Sequence, residues 1–336
     1  MKIAVIGAGA IGCLVAGYLK EKGEEVSLVG RGLVVNAIKE NGLAISGVRG
    51  TIKARVSISE SLNYIPDLVI LATKTQDIDS SLAGNAHLLQ NSLLLTTQNG
   101  VQADDLVARY LPREKIISSI IMFGATYLEP GKVIHNFEGS WVIGSQFQKN
   151  PSKELINLSL ALDKVFPAII AEDIKGMKYL KIFVNANNCL PAIIGKSMQE
   201  VFSDLDISRI SIAIWKEAFE IINRIGINLV SLPGFPVENL SRLTSMPSLD
   251  AAQVFSGLMK NLSKEPLYGS ILQSIMRGRL SEIDYLNGEF VRLAEEHNMR
   301  APLNKILVDM VHQVEKSNRF YSKDDLMNKV KELLNG

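Results

Sequence analysis

The sequence has few of the residues that mark secreted, metal-binding or nucleic-acid-binding proteins. It contains only two cysteines, which is too few for a disulfide framework, and neither Cys13 nor Cys189 has metal-ligand spacing to a histidine. Its 36 lysines and arginines nearly balance its 35 acidic residues, so no basic surface for nucleic acid or an anionic membrane is predicted. We therefore expect a cytoplasmic, reduced protein with a small-molecule partner and no bound metal.

The sequence also lacks internal repeats, low-complexity tracts and a flexible linker. With 336 residues, of which 47% are hydrophobic, it is long enough for two domains that each have a core. Strand and helix patterns alternate as far as Ala168–Ile170, and from Asp173 onward the pattern is almost entirely helical. We predict an α/β domain over residues 1–172 and an all-helical domain over residues 173–336, with the active site between them.

An apolar stretch without charged residues begins at residue 3 and reads IAVIGAGAIGCL. It is too short for a membrane-spanning helix, which needs roughly 20 apolar residues, and it has no signal-peptide cleavage site. The pattern instead predicts a buried strand at Lys2–Ile6, a helix at Ala10–Lys22 and a second strand at Glu25–Val29. A glycine-rich turn between a strand and a helix is typical of a phosphate-binding site.

Each glycine of the motif GAGAIG has a mechanical role in such a βαβ unit. Gly7 makes the tight turn, Gly9 lets the backbone approach a pyrophosphate, and Gly12 lets the helix pack on the strand. The positive end of the helix dipole favours the anion. The motif therefore predicts a Rossmann-type dinucleotide site formed by Gly7, Ala8, Gly9, Ala10, Ile11 and Gly12.

The end of the second predicted strand bears on the choice of dinucleotide. An NAD site usually has an acidic residue there, whereas this strand ends with Arg31 between two glycines and no acid. A guanidinium group suits a 2′-phosphate, although a single loop arginine can also be an ordinary solvated side chain. We predict NADP as the cofactor.

Further apolar runs predict strands at residues 67–72, 92–97 and 115–122, with helices at residues 77–89 and 102–111. Lys74 follows the first of these strands and the Gln98-Asn99-Gly100 turn follows the second, so both are candidates for the cofactor side of a parallel sheet. The short strands over residues 125–145 are expected to extend this sheet in antiparallel fashion.

The second domain has predicted helices at residues 175–189, 206–225, 279–297 and 304–315. In the first of them, Lys181 and Asn185 are four residues apart and share a face. The asparagines that follow indicate either a polar function or a fraying helix end before Pro191. In the third helix, an apolar stripe that begins at Ile283 places Glu282 at its edge and Glu289 toward solvent.

Over nearly its whole length the sequence resembles the 2-dehydropantoate 2-reductases, the ketopantoate reductases. The shared features are GAGAIG, Arg31, Lys74, QNG, a PGKV turn, the Lys181 and Asn185 pair, and SILQSIMRGRLSEIDYLNG at residues 270–288. The last of these is the most specific. The resemblance implies NADPH-dependent reduction of 2-dehydropantoate to pantoate in pantothenate and coenzyme A biosynthesis, and it leaves a homodimer open.

The resemblance also implies residue roles. Lys181 would be the general acid, and Glu282 would lie at the cofactor and the active-site lysine. Asn99 would contact nicotinamide and substrate, Asn185 and Ser270 would hold the substrate, and Arg31 and Lys74 would serve the NADP phosphates.

This sequence departs from the family pattern at the second asparagine of KxxxNxxxN, where it has Cys189, and at an NGEL-like turn, which reads MQEV at residues 198–201. Two alternatives remain open: a different 2-oxoacid substrate, or an NADP(H)-binding sensor without turnover. Helical phase places Asn188 closer to the face of Lys181 than Cys189, so we predict that Asn188 supplies the missing amide while Cys189 packs. A helix that ends early before Pro191 would remove that phase relation.

Overall fold

The computed structural model describes residues 1–261, 263 and 265–334. The chain divides into two compact units, Met1–Lys178 and Tyr179–Gly336. This division lies inside a helix, whereas the predicted division into two functional domains lies at residue 172. The functional boundary stays a prediction.

Unit 1 contains the β-strands, which are short and mostly buried. They are β1 (Lys2–Ile6), β2 (Glu25–Val29), β3 (Leu43–Gly47), β4 (Ile52–Ala54), β5 (Ser57–Ser59), β6 (Leu68–Leu71), β7 (Leu93–Thr96), β8 (Ile116–Ile121), β9 (Gly124–Glu129), β10 (Lys132–Phe137), β11 (Trp141–Gly144) and β12 (Ala168–Ile170). The helices in or entering this unit are α1 (Ala10–Glu21), α2 (Leu33–Asn41), α3 (Ile78–Leu82), α4 (Ala86–Leu89), α5 (Ala103–Val107), α6 (Lys153–Leu162) and α7 (Ile174–Ala186).

Eight strands form the main sheet in the order β12-β11-β8-β7-β6-β1-β2-β5. From β8 to β5 all neighbours pair in parallel, while β11 pairs antiparallel with β8. Continuous apolar runs such as Leu68–Leu71, buried at every position, are what a sheet covered on both faces requires. The predicted α/β, Rossmann-type fold is confirmed, and the carboxyl ends of its parallel strands lie at one edge.

A second sheet in unit 1 has the order β4-β3-β10-β9. The expectation that all strands of residues 125–145 extend the main sheet is therefore wrong for β9 and β10, and right for β11. The hairpin of β9 and β10 instead pairs through β10 with β3, in parallel and with Ala44 opposite Lys132. At Gly47 this pairing is so close that a Cβ atom would lie 2.0 Å from the His135 carbonyl oxygen.

Two predicted helices of unit 1 are shorter than expected. The helix predicted for residues 77–89 is split into a 3-10 turn at Thr75–Asp77, then α3 and α4. Residues 83–85 separate α3 from α4, and the side-chain amide of Asn85 donates to the carbonyl oxygen of Ser81. The helix predicted for residues 102–111 is α5 alone.

Unit 2 is mostly helical, as predicted. After the end of α7 it contains α8 (Cys189–Ile194), α9 (Met198–Phe202), α10 (Leu205–Arg224), α11 (Val237–Ser245), α12 (Ser248–Lys260), α13 (Ser270–Met276), α14 (Asn287–Glu296), α15 (Pro302–Ser317) and α16 (Lys323–Leu334). The long helix α10 packs against the end of α7, where the Trp215 indole N–H donates to the Phe183 carbonyl oxygen at 2.7 Å. Among the described residues, no helix combines the length and apolar character needed to cross a membrane.

Two predicted helices of unit 2 are interrupted. The helix predicted for residues 175–189 ends at Ala186, and α8 begins three residues later. The helix predicted for residues 279–297 begins only at Asn287, after a 3-10 turn at Ile283–Tyr285. Both interruptions fall within or beside sequences on which the family resemblance depends.

The apolar stripe of Ile283, Leu286, Phe290 and Leu293 is buried, as predicted, and Glu282 is half-buried at its edge. The expectation that Glu289 faces solvent is wrong, because its side chain is fully buried. Arg292, three residues later, donates to both of its carboxylate oxygens, at 2.5 and 3.1 Å. An ion pair within the helix thus compensates the burial of this carboxylate.

Candidate functional site

The glycine-rich turn of unit 1 is packed on one side and open on the other. A Cβ atom on Gly7 would lie 2.5 Å from the Ala72 carbonyl carbon, and one on Gly12 would lie 1.9 Å from the Gly7 carbonyl oxygen. A Cβ atom on Gly9 would meet nothing within 4 Å. Gly9 is the N-cap residue of α1, with no side-chain cap and no acidic residue in the first turn. The turn therefore has the space and the unobstructed helix N-terminus that a pyrophosphate needs.

The ends of β6 and β7 are joined by side-chain hydrogen bonds at the same edge of the sheet. The buried Gln98 donates to the carbonyl oxygens of Leu71 and Thr73, both at 2.9 Å. The Thr75 hydroxyl donates to the Asn99 carbonyl oxygen at 3.3 Å. These bonds bring the half-buried Lys74 and Asn99 to neighbouring positions, while Gln98 has a structural role.

Arg31 is exposed beyond the carboxyl end of β2, where its guanidinium donates to the Ser80 hydroxyl at 3.2 Å. The structure adds a residue that sequence reasoning missed. Glu60, which follows β5, accepts a hydrogen bond from the Gly32 N–H at 3.2 Å. Nothing in a local sequence pattern links residue 60 to residue 31, because the link depends on the pairing of β2 with β5.

Helix α7 carries Lys181 and Asn185 one turn apart, both half-buried. Burial lowers the pKa of the Lys181 ammonium group from 10.5 to about 8, because an apolar environment disfavours its charged form. A lysine with such a pKa can release its proton near neutral pH, which an exposed lysine does poorly. This combination makes the last turns of α7 the strongest candidate for acid-base chemistry in unit 2.

The break after α7 changes the expected position of Asn188. The predicted helical phase between Lys181 and Asn188 is wrong, because the helix ends at Ala186, as anticipated for an early end before Pro191. Asn188 instead packs against Gly269, where an added Cβ atom would lie 3.0 Å from the Asn188 Cγ atom. The structure thus brings Asn188 beside Ser270, the first residue of α13 and a predicted substrate ligand.

Cys189 is fully buried, and burial raises the pKa of its thiol well above the usual range. A buried, protonated thiol behaves as a small apolar group, which agrees with the packing role predicted for it.

The departure from the family turn at residues 198–201 has a structural counterpart in α9. The Gln199 amide donates to the carbonyl oxygens of Ser263 and Glu265 at 3.2 and 2.8 Å and accepts from the Leu267 N–H at 3.0 Å. Gln199 therefore fixes the segment that leads to Gly269 and Ser270. The departure is visible in the sequence, whereas this contact is not, because it joins residues more than 60 positions apart.

Glu282 is the N-cap residue of the 3-10 turn at Ile283–Tyr285, which precedes α14. Its neighbour Ser281 donates its N–H to Glu315 of α15 at 2.7 Å, and the other carboxylate oxygen of Glu315 contacts His312 at 3.0 Å. The hydrogen bond between Ser281 and Glu315 therefore fixes the segment that contains Glu282 to α15. Hydrogen bonds to Asp284 and Glu315 raise the pKa of His312 against the effect of its partial burial.

Two family models match this chain. One, described as ketopantoate reductase PanE/ApbA, matches residues 3–146, and the other, described as its C-terminal part, matches residues 173–315. The chain belongs to the ketopantoate reductase family. The resemblance found in the sequence is therefore confirmed, and with it the prediction of an oxidoreductase of this type.

Individual members of the ketopantoate reductase family are similar over nearly the whole chain. The 2-dehydropantoate 2-reductase of Pyrococcus horikoshii is 31% identical over 93% of this chain and 96% of its own length. That of Aquifex aeolicus is 26% identical, again over 93% of this chain and 96% of its own.

Two solved structures are similar in fold as well as in sequence. A PanE/ApbA family ketopantoate reductase from Ralstonia eutropha JMP134 is 26% identical, with a TM-score of 0.79, and covers 94% of this chain and 99% of its own. A D-mandelate dehydrogenase in a ternary complex with NADH and anilino(oxo)acetate is 25% identical, with a TM-score of 0.81 and the same coverage. The second structure contains a nicotinamide dinucleotide, the class of cofactor that the glycine motif predicts.

Proposed function

We propose that this protein is an NADPH-dependent reductase that converts 2-dehydropantoate to pantoate, a step of pantothenate and coenzyme A biosynthesis. The observation that carries the proposal is the environment of Lys181. Burial lowers the pKa of its ammonium group to about 8, and Asn185 lies one helical turn away, in a chain that belongs to this family. We assign cofactor binding to residues 1–172, and substrate binding and proton transfer to residues 173–336.

The assigned chemistry follows from the charges that develop during carbonyl reduction. Nicotinamide, when bound, supplies the hydride that reduces the carbonyl carbon. Lys181 stabilises the negative charge that develops on the substrate oxygen and then donates its proton there. We assign the Asn185 amide and the Ser270 hydroxyl to the substrate, and the Glu282 carboxylate to the cofactor and to the orientation of Lys181.

We assign the cofactor to the carboxyl edge of the main sheet. The open space at Gly9 supports a pyrophosphate there, within the turn of Gly7, Ala8, Gly9, Ala10, Ile11 and Gly12. Arg31 and Lys74 are cations at the same edge and suit the phosphates of NADP. Asn99, joined to the end of β6 through Thr75, is assigned to the nicotinamide and the substrate.

The test is the loss of NADPH absorbance with a panel of 2-oxoacids. We expect 2-dehydropantoate to give the highest kcat/KM among branched, hydroxylated, aromatic and small 2-oxoacids. Binding of NADPH without oxidation by any of them would contradict the proposal and favour an NADP(H)-binding sensor. Two further predictions need separate measurements. Sedimentation tests whether the protein is a homodimer, and cell fractionation tests whether it is cytoplasmic.

A second candidate function is the reduction of a less polar 2-oxoacid. It is favoured by the buried Cys189, which stands where the family pattern has an asparagine. The similarity to a D-mandelate dehydrogenase is consistent with this candidate, since mandelate has an aromatic side chain. Preference for 2-oxo-2-phenylacetate over 2-dehydropantoate in the same panel would establish it in place of the first.

A further inference from the structure

The edge strand β5 brings a second segment to the end of β2. These strands pair in parallel, with Val29 opposite Ser59, and the Gly30 N–H donates to the Ser59 carbonyl oxygen at 3.0 Å. Because the two strands run in the same direction, the residues that follow each strand emerge at the same edge of the sheet. Residue 60 therefore lies beside the turn that contains Arg31.

The turn after β2 is flanked by charges of both signs. Glu60 is exposed, and its Oε1 atom accepts from the Gly32 N–H at 3.2 Å. Arg31, the residue next to Gly32, donates its guanidinium N–H to Ser80 at 3.2 Å. The turn thus has both a cation suited to a 2′-phosphate and a carboxylate of the kind that accepts from a ribose 2′-hydroxyl.

We propose that Glu60 is a specificity-determining residue of the cofactor site, which reduces the preference for NADPH that Arg31 creates. Its negative charge opposes the 2′-phosphate, while its oxygens offer an acceptor to the ribose hydroxyls of NADH. The inference rests on the proposed function for the location of the adenosine ribose. It goes further in predicting that the protein binds both dinucleotides, with a preference set by two residues of opposite charge.

A purely structural role for Glu60 makes a different prediction. Its contact with Gly32, the N-cap residue of α2, supplies a hydrogen-bond acceptor where the helix begins. Glu60→Gln keeps an acceptor oxygen for the Gly32 N–H and removes only the charge. If the contact is only a helix cap, this change will leave the affinities for both dinucleotides as they are.

The experiment measures Kd for NADPH and for NADH by calorimetry, without any 2-oxoacid, for the unmodified chain and three variants. For Glu60→Gln we expect about 3- to 10-fold tighter NADPH binding with no tightening for NADH, an effect that added salt reduces. Arg31→Ala should change the ratio of the two Kd values in the opposite direction. Glu25→Gln is the matched control, because it removes an exposed carboxylate from the other end of β2, roughly 15 Å away.

An unchanged ratio in Glu60→Gln, or an equal change in Glu25→Gln, would overturn the inference. Failure of the unmodified chain to bind NADH at all would also overturn it. Because these experiments measure binding without turnover, they test the role of Glu60 independently of the proposed catalytic activity. Binding of both dinucleotides with the expected shifts, but no reduction of any 2-oxoacid, would contradict the proposed function and leave the role of Glu60 supported.

Discussion

Two stretches of helix α7 hold polar groups in different environments. Lys178, in the second turn of the helix and the last residue of unit 1, is 3% exposed, and its ammonium nitrogen lies 3.1 Å from the fully buried Asp104 carboxylate. Asp104 also accepts from the hydroxyls of Thr96 and Ser118. From Lys181 onward, in unit 2, burial lowers the pKa of the half-buried Lys181 ammonium group, and the amide of Asn187, the residue after the helix, is buried without a hydrogen-bond partner among the described residues.

This difference separates a charge whose partners stabilise the fold from groups whose pKa or hydrogen bonding is unusual. A buried charge is tolerated when partners surround it, as they surround Asp104. A buried group with a perturbed pKa or no partner costs stability, and such groups are concentrated at functional sites. We therefore expect substitutions of Lys178 or its partner Asp104 to change stability, and substitutions from Lys181 to the end of α7 to change binding and chemistry.

The largest expected effect is that of Lys181→Ala on turnover. Removal of a general acid should lower kcat by about 10²- to 10⁴-fold, because the interaction is made mainly in the transition state. The Kd for NADPH, measured by calorimetry, should change little. Thermal unfolding of the same variant is the control, and we expect no loss of stability. A kcat close to that of the unmodified protein would remove Lys181 from the chemistry.

The next effect is on stability and comes from Asp104→Leu. It leaves the Lys178 ammonium group buried without its carboxylate, which should lower the free energy of unfolding by about 3–5 kcal/mol in urea titrations. The control is the double variant with Lys178→Met, which removes both charges and should recover most of the loss. If the single variant is as stable as the unmodified protein, the contrast between Lys178 and the residues from Lys181 onward is wrong.

Asn188→Ala should raise KM for the substrate with little change in kcat. Loss of a buried hydrogen bond costs about 1–3 kcal/mol, which corresponds to an increase in KM of about 5- to 150-fold. Cys189→Ala is the neighbouring control, and we expect its KM to stay nearly unchanged. The opposite result would mean that the cysteine side lines the substrate pocket and that the protein prefers a less polar acid.

The pH dependence of reduction should follow the lowered pKa of Lys181. The group must hold its proton to act as an acid, so kcat should be level below pH 8 and fall about tenfold per pH unit above it. Oxidation of the hydroxy acid, which needs the neutral amine, should show the opposite trend. A rate of reduction that rises between pH 7 and pH 9 would contradict the assignment.

The smallest effect is expected for Gln199→Leu, which removes the hydrogen bonds to Ser263, Glu265 and Leu267 but keeps the side chain's approximate size. A less ordered approach to Ser270 should raise KM by about 2- to 10-fold, since each exchanged hydrogen bond contributes about 0.5–1.5 kcal/mol. Gln90→Leu is the matched control, because the Gln90 amide also donates to two carbonyl oxygens, those of Ala86 and Tyr110. Equal KM values in the two variants would exclude a positioning role for Gln199.

The sequence allowed prediction of those parts whose structure depends on neighbouring residues. Strands β1 and β2 begin and end as predicted, and α1 ends one residue early, because a βαβ unit is defined by local periodicity and glycines. The prediction that Glu289 faces solvent was wrong, because helical periodicity indicates which face of a helix is apolar but not whether an ion pair allows a charged residue to be buried there. The end of α7 was uncertain because asparagines before a proline fit both a helix and a break.

The residues that sequence analysis missed share one property. Glu60 meets Gly32, Asp104 meets Lys178, and Gln199 meets Leu267 only after strands and helices have packed. The spacing of residues in the sequence does not indicate any of these pairs. They could be found only from the tertiary arrangement, although the MQEV departure at residues 198–201 did indicate where one of them lies.

The second sheet of unit 1 has a consequence for how the chain folds. Strands β3 and β4 are neighbours in sequence and can pair as soon as both exist, but β3 also pairs with β10, whose residue Lys132 lies opposite Ala44. Closing so long a loop costs conformational entropy before the pairing of β3 with β10 can stabilise the fold. Contacts between residues far apart in sequence therefore slow folding. During synthesis, one edge of β3 therefore remains unpaired until β10 has left the ribosome, and a chain truncated before residue 132 would expose that edge to aggregation.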